Sequence, residues 1–351
     1  MSIPQVTVAG KSVGRVGYGL MQLTWNPKPP AEEVSFAAMK AAADAGATCW
    51  STATFYGPDF ANIHLIANFF KKYPEYKDKI VLVIKGGADY TTIAPKGDDI
   101  DFVRKELKHV QSILGDKTID VFSYARLPDA PLEEAFKILV TLQKEGLFKD
   151  IGASEMSVES LDKALKITPI AIIEIEVSLF SFEPAIRSVV DWSRNHKVPI
   201  FAYSPLGRGF LTRTYKSPED IPEGDFKKYV PRFQGEAFYE NLKLVDKLDE
   251  IAQAKGVETS QLALAWIVSL SDYTIPIPGS SNPDRVKSNT SSANIKLTSD
   301  ELTTISDILD SFEVKGTRYP AHAMKDLVSA APRYTSQRTF MLIECGCSFP
   351  L

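Results

Sequence analysis

A lysine closing an apolar run and a tyrosine on a neighbouring loop are the residues of this chain best suited, by type and position, to move a proton. Lys85 follows Ile80-Val-Leu-Val-Ile84. A lysine there is either a solvated strand-end charge or a functional charge facing a site. Tyr56-Gly57 lies just past an earlier apolar run. A lone tyrosine on a loop is usually packing, but beside a desolvated lysine its pKa is lowered, because the ammonium favours phenolate. Such a pair makes a usable general acid for a carbonyl. Two glycine-bearing loops, Ser204-Pro-Leu-Gly-Arg-Gly209 and Gly279-Ser-Ser281, could let backbone N–H groups approach a phosphate. Arg285, early in a helix after the second loop, would bring a guanidinium near it. Plain turns and a surface charge are the simpler readings of the same residues.

The elements that must position these groups alternate along the chain. Short apolar runs at 16–19, 48–52, 80–85, 119–124, 150–153, 171–175, 200–204 and 273–277 read as strands. Amphipathic stretches at 32–45, 101–114, 132–145, 184–195 and 260–269 read as helices. Eight such repeats fit a closed (β/α)8 TIM barrel or an open doubly wound sheet. The barrel is favoured. Residues 6–13 read as a hairpin turning at Ala9-Gly10, ahead of the first core strand. Gly17-Tyr-Gly19 continues Leu-Met-Gln-Leu, so the dinucleotide fingerprint of the open sheet fails. In a barrel the chemistry lies where strands end. That rule selects Gly19 and Met21, the segment Ser51 to Gly57, Lys85, Ala125 and Arg126, Ser154 and Glu155, Glu174, Tyr203 to Gly209, and Gly279 to Ser281. The expected organisation is a barrel over 1–312 and an extension over 313–351, packed on the barrel or partly mobile.

Composition narrows the partners. A net charge of −4 gives no general attraction to nucleic acid or to an anionic membrane. No apolar run reaches bilayer length, and the N-terminus has no leader pattern. Three cysteines, Cys49, Cys345 and Cys347, point to a reducing compartment rather than a disulfide framework. A cytoplasmic location is expected, with the nucleus also open. No metal site is expected, the Cys345-Gly-Cys347 pair lacking further ligands nearby. A barrel of this size can be stable as a monomer, an oligomer staying open.

Taken together, from about Val13 to about Leu309, the motifs resemble the aldo-keto reductase superfamily. Ser51-Thr-Ala-Thr-Phe-Tyr-Gly57 is similar to its Asp-Thr-Ala-x-x-Tyr-Gly, and Gly152-Ala-Ser154 to its Gly-Val-Ser. Ala202-Tyr-Ser-Pro-Leu-Gly207 and Leu264-Ala-Trp266 match almost letter for letter, and Ile277-Pro-Gly-Ser-Ser281 with Arg285-Val-Lys-Ser-Asn289 resembles its cofactor signature. The resemblance implies a TIM barrel that gives hydride from NADPH to the carbonyl of a small aldehyde. It implies that Tyr56 donates the proton and Lys85 lowers its pKa. On the cofactor side it implies Tyr203 against the nicotinamide ring, Ser154 on the carboxamide, and Leu206, Gly207 and Gly209 at the pyrophosphate. Ser280 and Arg285 would meet the adenosine 2′-phosphate and Asn289 the adenine. Gly19, Met21, Ser204 and Gly279 join this cofactor set.

The departures are as informative. Ser51 stands where the family has Asp, and Ala125 where it has His, so Lys85 is expected to be held by a neutral hydroxyl. Glu155 and Glu174 replace Asn and Gln, and both are expected to face the carboxamide. The Ala125-Arg126 pair and the Glu174-Ile-Glu176 strand resemble the pyridoxal reductase branch of fungi, which implies reduction of pyridoxal to pyridoxine. A general aldehyde reductase, or an NADP(H)-binding redox sensor without turnover, are the alternatives. Arg126 would meet an anionic oxygen of the substrate or, since strand alternation turns it away from Ala125, form a structural ion pair. Trp25 would give an aromatic substrate an apolar wall, or simply pack.

Overall fold

The computed structural model describes residues 3–324 together with Leu327 and Val328. Cys345 and Cys347 lie outside these residues. The chain opens with β1 (Gln5–Val8) and β2 (Lys11–Gly14), an antiparallel hairpin with Val6 opposite Val13. Its turn is made by Ala9 and Gly10 at φ 47° and 75°, the left-handed pair that a two-residue hairpin loop requires.

The strands that follow are β3 (Tyr18–Gly19), β4 (Cys49–Ala53), β5 (Val81–Gly86), β6 (Val121–Tyr124), β7 (Asp150–Ile151), β8 (Ala153–Ser154), β9 (Ile173–Glu176), β10 (Ile200–Tyr203) and β11 (Thr274–Pro276). They pair in parallel as two arcs, β3 to β7 and β8 to β11. One barrel joins the arcs. Between β7 and β8 only Gly152 intervenes, and its N–H reaches Phe122 O at 2.9 Å. At the other seam Gly17 N donates to Pro276 O at 2.9 Å and Gly19 N to Pro278 O at 3.3 Å. Gly19 and Gly279 permit this closure: a Cβ on Gly19 would lie 2.7 Å from Ile277 O, and one on Gly279 2.8 Å from Gly19 O.

Helices α1 (Glu32–Asp44), α2 (Ala61–Lys72), α3 (Ile100–Leu114), α4 (Leu132–Lys144), α5 (Val158–Leu165), α6 (Pro184–His196), α7 (Gly235–Lys255), α8 (Thr259–Leu270), α9 (Pro283–Ser291) and α10 (Ser299–Ser311) link the strands or follow the last one. The expected runs coincide with these elements to within a few residues. The helices α2, α5, α7 and α10 were not among the expected ones. For α10 the signal was present, because Thr298 and Glu301 form a reciprocal capping box.

Two apolar layers hold the barrel. The larger lies between the helices and the outer face of the sheet. The smaller fills the lumen with Cys49, Val81, Val83, Val121, Ile172, Phe201 and Ile275, and the hairpin residues Val8 and Val13 join it. Each such fully buried aliphatic chain contributes about 1.5–3 kcal/mol. The hairpin is therefore a stopper in the N-terminal end of the barrel, tied on by Lys11 to the buried Asp120 at 3.3 Å. The opposite end carries the strand termini and the candidate chemistry. Among the described residues no helix is long and apolar enough to cross a membrane.

Candidate active site

Strand register brings the first group together. Ala53 pairs with Lys85 across β4 and β5, and Thr54 N continues the ladder to Lys85 O at 2.9 Å. The chain then turns through Tyr56 into Gly57 at φ 87°. Two buried or half-buried side chains hold that turn. Thr24 Oγ1 donates to Tyr56 O at 2.7 Å, and Asn62 Nδ2 donates to Thr24 Oγ1 at 2.7 Å and Leu20 O at 2.9 Å. In consequence the Lys85 ammonium lies 5.3 Å from the Tyr56 ring centroid and acts on the phenol by charge and hydrogen bonding.

Lys85 is not held by a hydroxyl alone, and here the expectation drawn from Ser51 is corrected. Lys85 Nζ is 2.8 Å from Ser51 Oγ, 3.2 Å from Thr52 O and 2.7 Å from Glu174 Oε1. Ser51 Oγ in turn donates to Glu174 Oε2 at 2.7 Å. The carboxylate comes from β9, on the far side of the lumen from β4. Burial works against the Lys85 charge, but Glu174 and Tyr56 outweigh it and raise the ammonium pKa. For Tyr56 the outcome is also opposite to expectation. Burial pushes the phenol up, Lys85 pulls it down, and Glu174 pushes it up again, so the net shift is upward. Tyr56 therefore keeps its proton at neutral pH, as a proton donor must.

Glu155 belongs to a second charged group. It accepts from Tyr203 Oη at 2.6 Å, Glu176 N at 3.1 Å, Val328 N at 3.0 Å and Arg318 Nη2 at 3.1 Å. Burial opposes its ionisation, yet Arg318 and Arg126 hold it down at about 2. Arg318 also reaches Glu176 at 3.3 Å, and Arg208 reaches Glu176 at 2.9 Å. The segment after α10 thus returns to the barrel mouth, where Tyr319 Oη lies 3.3 Å from Tyr203 Oη and Arg208 stacks 4.2 Å above the Tyr319 ring. Glu176 appears in the sequence as half of Glu-x-Glu. Arg208 lay in the selected Tyr203 to Gly209 segment but was given no role, and Arg318 and Tyr319 were missed because the segment carrying them has no periodicity to place it.

The open side of Tyr56 is aromatic. Trp25 stacks on it at 5.3 Å and 25°, and Phe55 meets Trp25 edge-on at 5.7 Å. Ala125 is buried in a small apolar floor with Ala53, Phe55 and Ala88. β6 ends at Tyr124, so strand alternation does not extend to Arg126. The Arg126 guanidinium bonds Ala125 O at 2.6 Å, and although burial opposes its charge, the fields of Tyr203, Tyr319, Glu155 and Tyr56 outweigh it and raise its pKa. It makes no ion pair within 4.0 Å among the described residues, and the structural ion pair is set aside.

On the cofactor side the two loops differ from the sequence reading in detail. Gly207 and Gly209 take φ 59° and 111°, with Phe180 and Tyr215 each 3.0 Å from where a Cβ would stand. Their N–H groups bond within the loop, to Ser204 O at 3.0 Å and Leu206 O at 3.2 Å, so these glycines shape it rather than donate outward. Ser204 is itself left-handed, at φ 49°. Ahead of α9, Asn282 caps Asp284 N and Arg285 N at 2.9 and 3.1 Å. The groups left to meet a phosphate are the Ser280 hydroxyl and the exposed Arg285 side chain, which has no ion pair among the described residues. Asn289 follows one turn later on the same face, buried. Ser154 Oγ, at the end of β8, donates to Ala125 O at 3.3 Å beside Lys85's end of the barrel. Gly19 and Met21 sit half-buried at the β3 terminus. A cation and an amide one turn apart on α9, with a hydroxyl on the loop ahead of it, fit an adenosine phosphate, and the buried strand ends fit the ring that follows.

Comparison with known proteins shows the family. The model of the aldo/keto reductase family matches residues 15–310. The protein named probable pyridoxal reductase 2 from Schizosaccharomyces pombe is 36% identical, covering 89% of this chain and 96% of its own. A second from the same organism, aldo-keto reductase yakc [NADP(+)], is 34% identical over 95% and 99% of the two chains. Among solved structures, glycerol dehydrogenase AKR11B4 from Gluconobacter oxydans superposes with a TM-score of 0.77 at 22% identity, covering 90% and 98%. The chain belongs to the aldo/keto reductase family. It is an oxidoreductase, and its cofactor is NADPH.

Proposed function

We propose that this enzyme reduces an aromatic aldehyde bearing an anionic oxygen, with pyridoxal as the substrate, to the alcohol. The observation that carries this reading is Tyr56, which has the Lys85 ammonium on one side and the Trp25 ring stacked on another, with the Arg126 charge within electrostatic reach. The similarity to a relative named for pyridoxal supports it. NADPH, when bound, supplies the hydride. Arg285 and Ser280 would hold its 2′-phosphate, Asn289 its adenine, Leu206 with the Ser204 and Gly207 to Gly209 loop its pyrophosphate, and Ser154 and Tyr203 its nicotinamide end, with Gly19, Met21 and Gly279 lining the path.

The chain's own residues perform the rest. Tyr56, kept neutral by burial, gives its proton to the developing alkoxide oxygen. Lys85, fixed in charge, stabilises the phenolate that remains. Trp25 excludes water from the aldehyde face, and Arg126 orients the ring through its anionic substituent. Ala125 contributes room rather than a hydrogen bond. A place in vitamin B6 metabolism follows from this substrate, and the sparse cysteines support a cytoplasmic one.

Purified protein mixed with NADPH and pyridoxal should lose nicotinamide absorbance, and Tyr56→Phe should slow this by about 10²–10⁴-fold while still binding NADPH. Binding of NADPH without turnover of pyridoxal or any other aldehyde would defeat the reading.

A further inference from the structure

We propose that Glu174 is the positioning residue for Lys85, and through it for Tyr56, acting from the opposite wall of the barrel. The inference rests on the reading of Lys85 and Tyr56 as the proton-delivering pair. Three polar groups form a closed triangle: Lys85 donates to Ser51 and to Glu174, and Ser51 donates to Glu174. Both Glu174 oxygens are thereby engaged, at 2.7 Å each, and the side chain is 4% exposed. A carboxylate so occupied has little left to offer a carboxamide.

Charge logic requires such a partner. An ammonium buried as deeply as Lys85 would shed its proton if a neutral hydroxyl were its only company. Ser51 cannot offset a charge, and Glu174 is the acidic group that bonds both Lys85 and Ser51. Because β4 and β9 stand opposite one another in an eight-stranded ring, the carboxylate must cross the lumen, and the longer glutamate side chain spans it. Ser51, small and able to donate and accept at once, bridges the two. The site therefore depends on a negative charge beside Lys85, whichever wall supplies it.

The sign of the effect follows. Glu174 raises the pKa of both Lys85 and Tyr56. Removing its charge lowers both, so the pH above which Tyr56 loses its proton, and reduction slows, moves downward.

The test uses Glu174→Gln and the double variant Ser51→Asp/Glu174→Gln, which returns a carboxylate from the nearer wall. Three quantities are read: Tm of the protein without ligand, NADPH affinity by fluorescence, and the basic limb of the aldehyde-reduction pH profile. Glu174→Gln should lower Tm by at least about 5 °C and move the limb by about one pH unit to acid. It should leave NADPH affinity within about threefold, and the double variant should recover both Tm and limb. An unmoved limb, or NADPH binding weakened more than about tenfold with Tm unchanged, overturns the proposal. Should Glu174→Gln not fold, the double variant decides alone. If it folds with the wild-type limb the proposal stands, and if it does not fold the proposal fails. Tm and NADPH affinity need no aldehyde, so failure of the pyridoxal reading leaves them interpretable.

Discussion

Arg318 and Glu155, 163 residues apart in sequence, meet at 3.1 Å in the barrel mouth, the guanidinium almost wholly enclosed. Removing one partner of such a pair leaves a buried charge without compensation, which costs about 3–5 kcal/mol. Arg318→Met should therefore lower the urea midpoint by that equivalent. The pH dependence checks the cause. Glu155 is held at about 2 against an ordinary 4.5. Its contribution, roughly 3 kcal/mol, is present above pH 4.5 and is lost as pH falls towards 2. Unfolding free energies measured from pH 6 to pH 3 should fall less steeply in Arg318→Met than in wild type.

Glu106 has the opposite sign. It is buried on α3, accepting from Thr54 Oγ1 at 2.6 Å and Gly87 N at 2.8 Å, and burial pushes its carboxyl up to about 7. A carboxyl raised on folding keeps its proton in the native state while the unfolded chain has lost it. Stability should then decline, by roughly 3 kcal/mol, as pH rises from about 4.5 to about 7 and level off above. Glu106→Gln should remove this slope. Parallel slopes in the two proteins would show that Glu106 is ionised in the fold.

The barrel seam predicts a steric effect. Alanine at Gly19 would place its Cβ 2.7 Å from Ile277 O, a backbone atom that cannot swing aside. Gly19→Ala should lose about 1–3 kcal/mol, read by denaturant titration.

Substrate preference can be separated from rate. Trp25→Ala removes a stacking partner worth about 0.5–1.5 kcal/mol, and KM for an aromatic aldehyde should rise several-fold with kcat nearly unchanged. Arg126→Ala should reduce kcat/KM for pyridoxal about 10–100-fold and leave benzaldehyde unaffected. An equal loss for both aldehydes would assign Arg126 a purely structural role.

Much of this was visible before any coordinates. Runs of Val and Ile fixed the strands because each is buried on both faces, and Lys85 stood out against such a run. The Tyr56 neighbourhood was legible for the same reason. What stayed hidden depended on closure of the ring. The partnership of Lys85 with Glu174 crosses 89 residues and the full lumen, and no local pattern encodes it. Tyr56 was expected to have a lowered pKa because only the lysine could be seen, whereas burial and Glu174 reverse the balance. Arg318 and Tyr319 were invisible because an irregular segment has no period from which to infer a face.

The hairpin stopper has a kinetic consequence. With Val8 and Val13 wedged into the floor of the ring, the described residues leave the rim as the way in for water, protons and reactants. Whatever settles deepest has to arrive before its companion and depart after it.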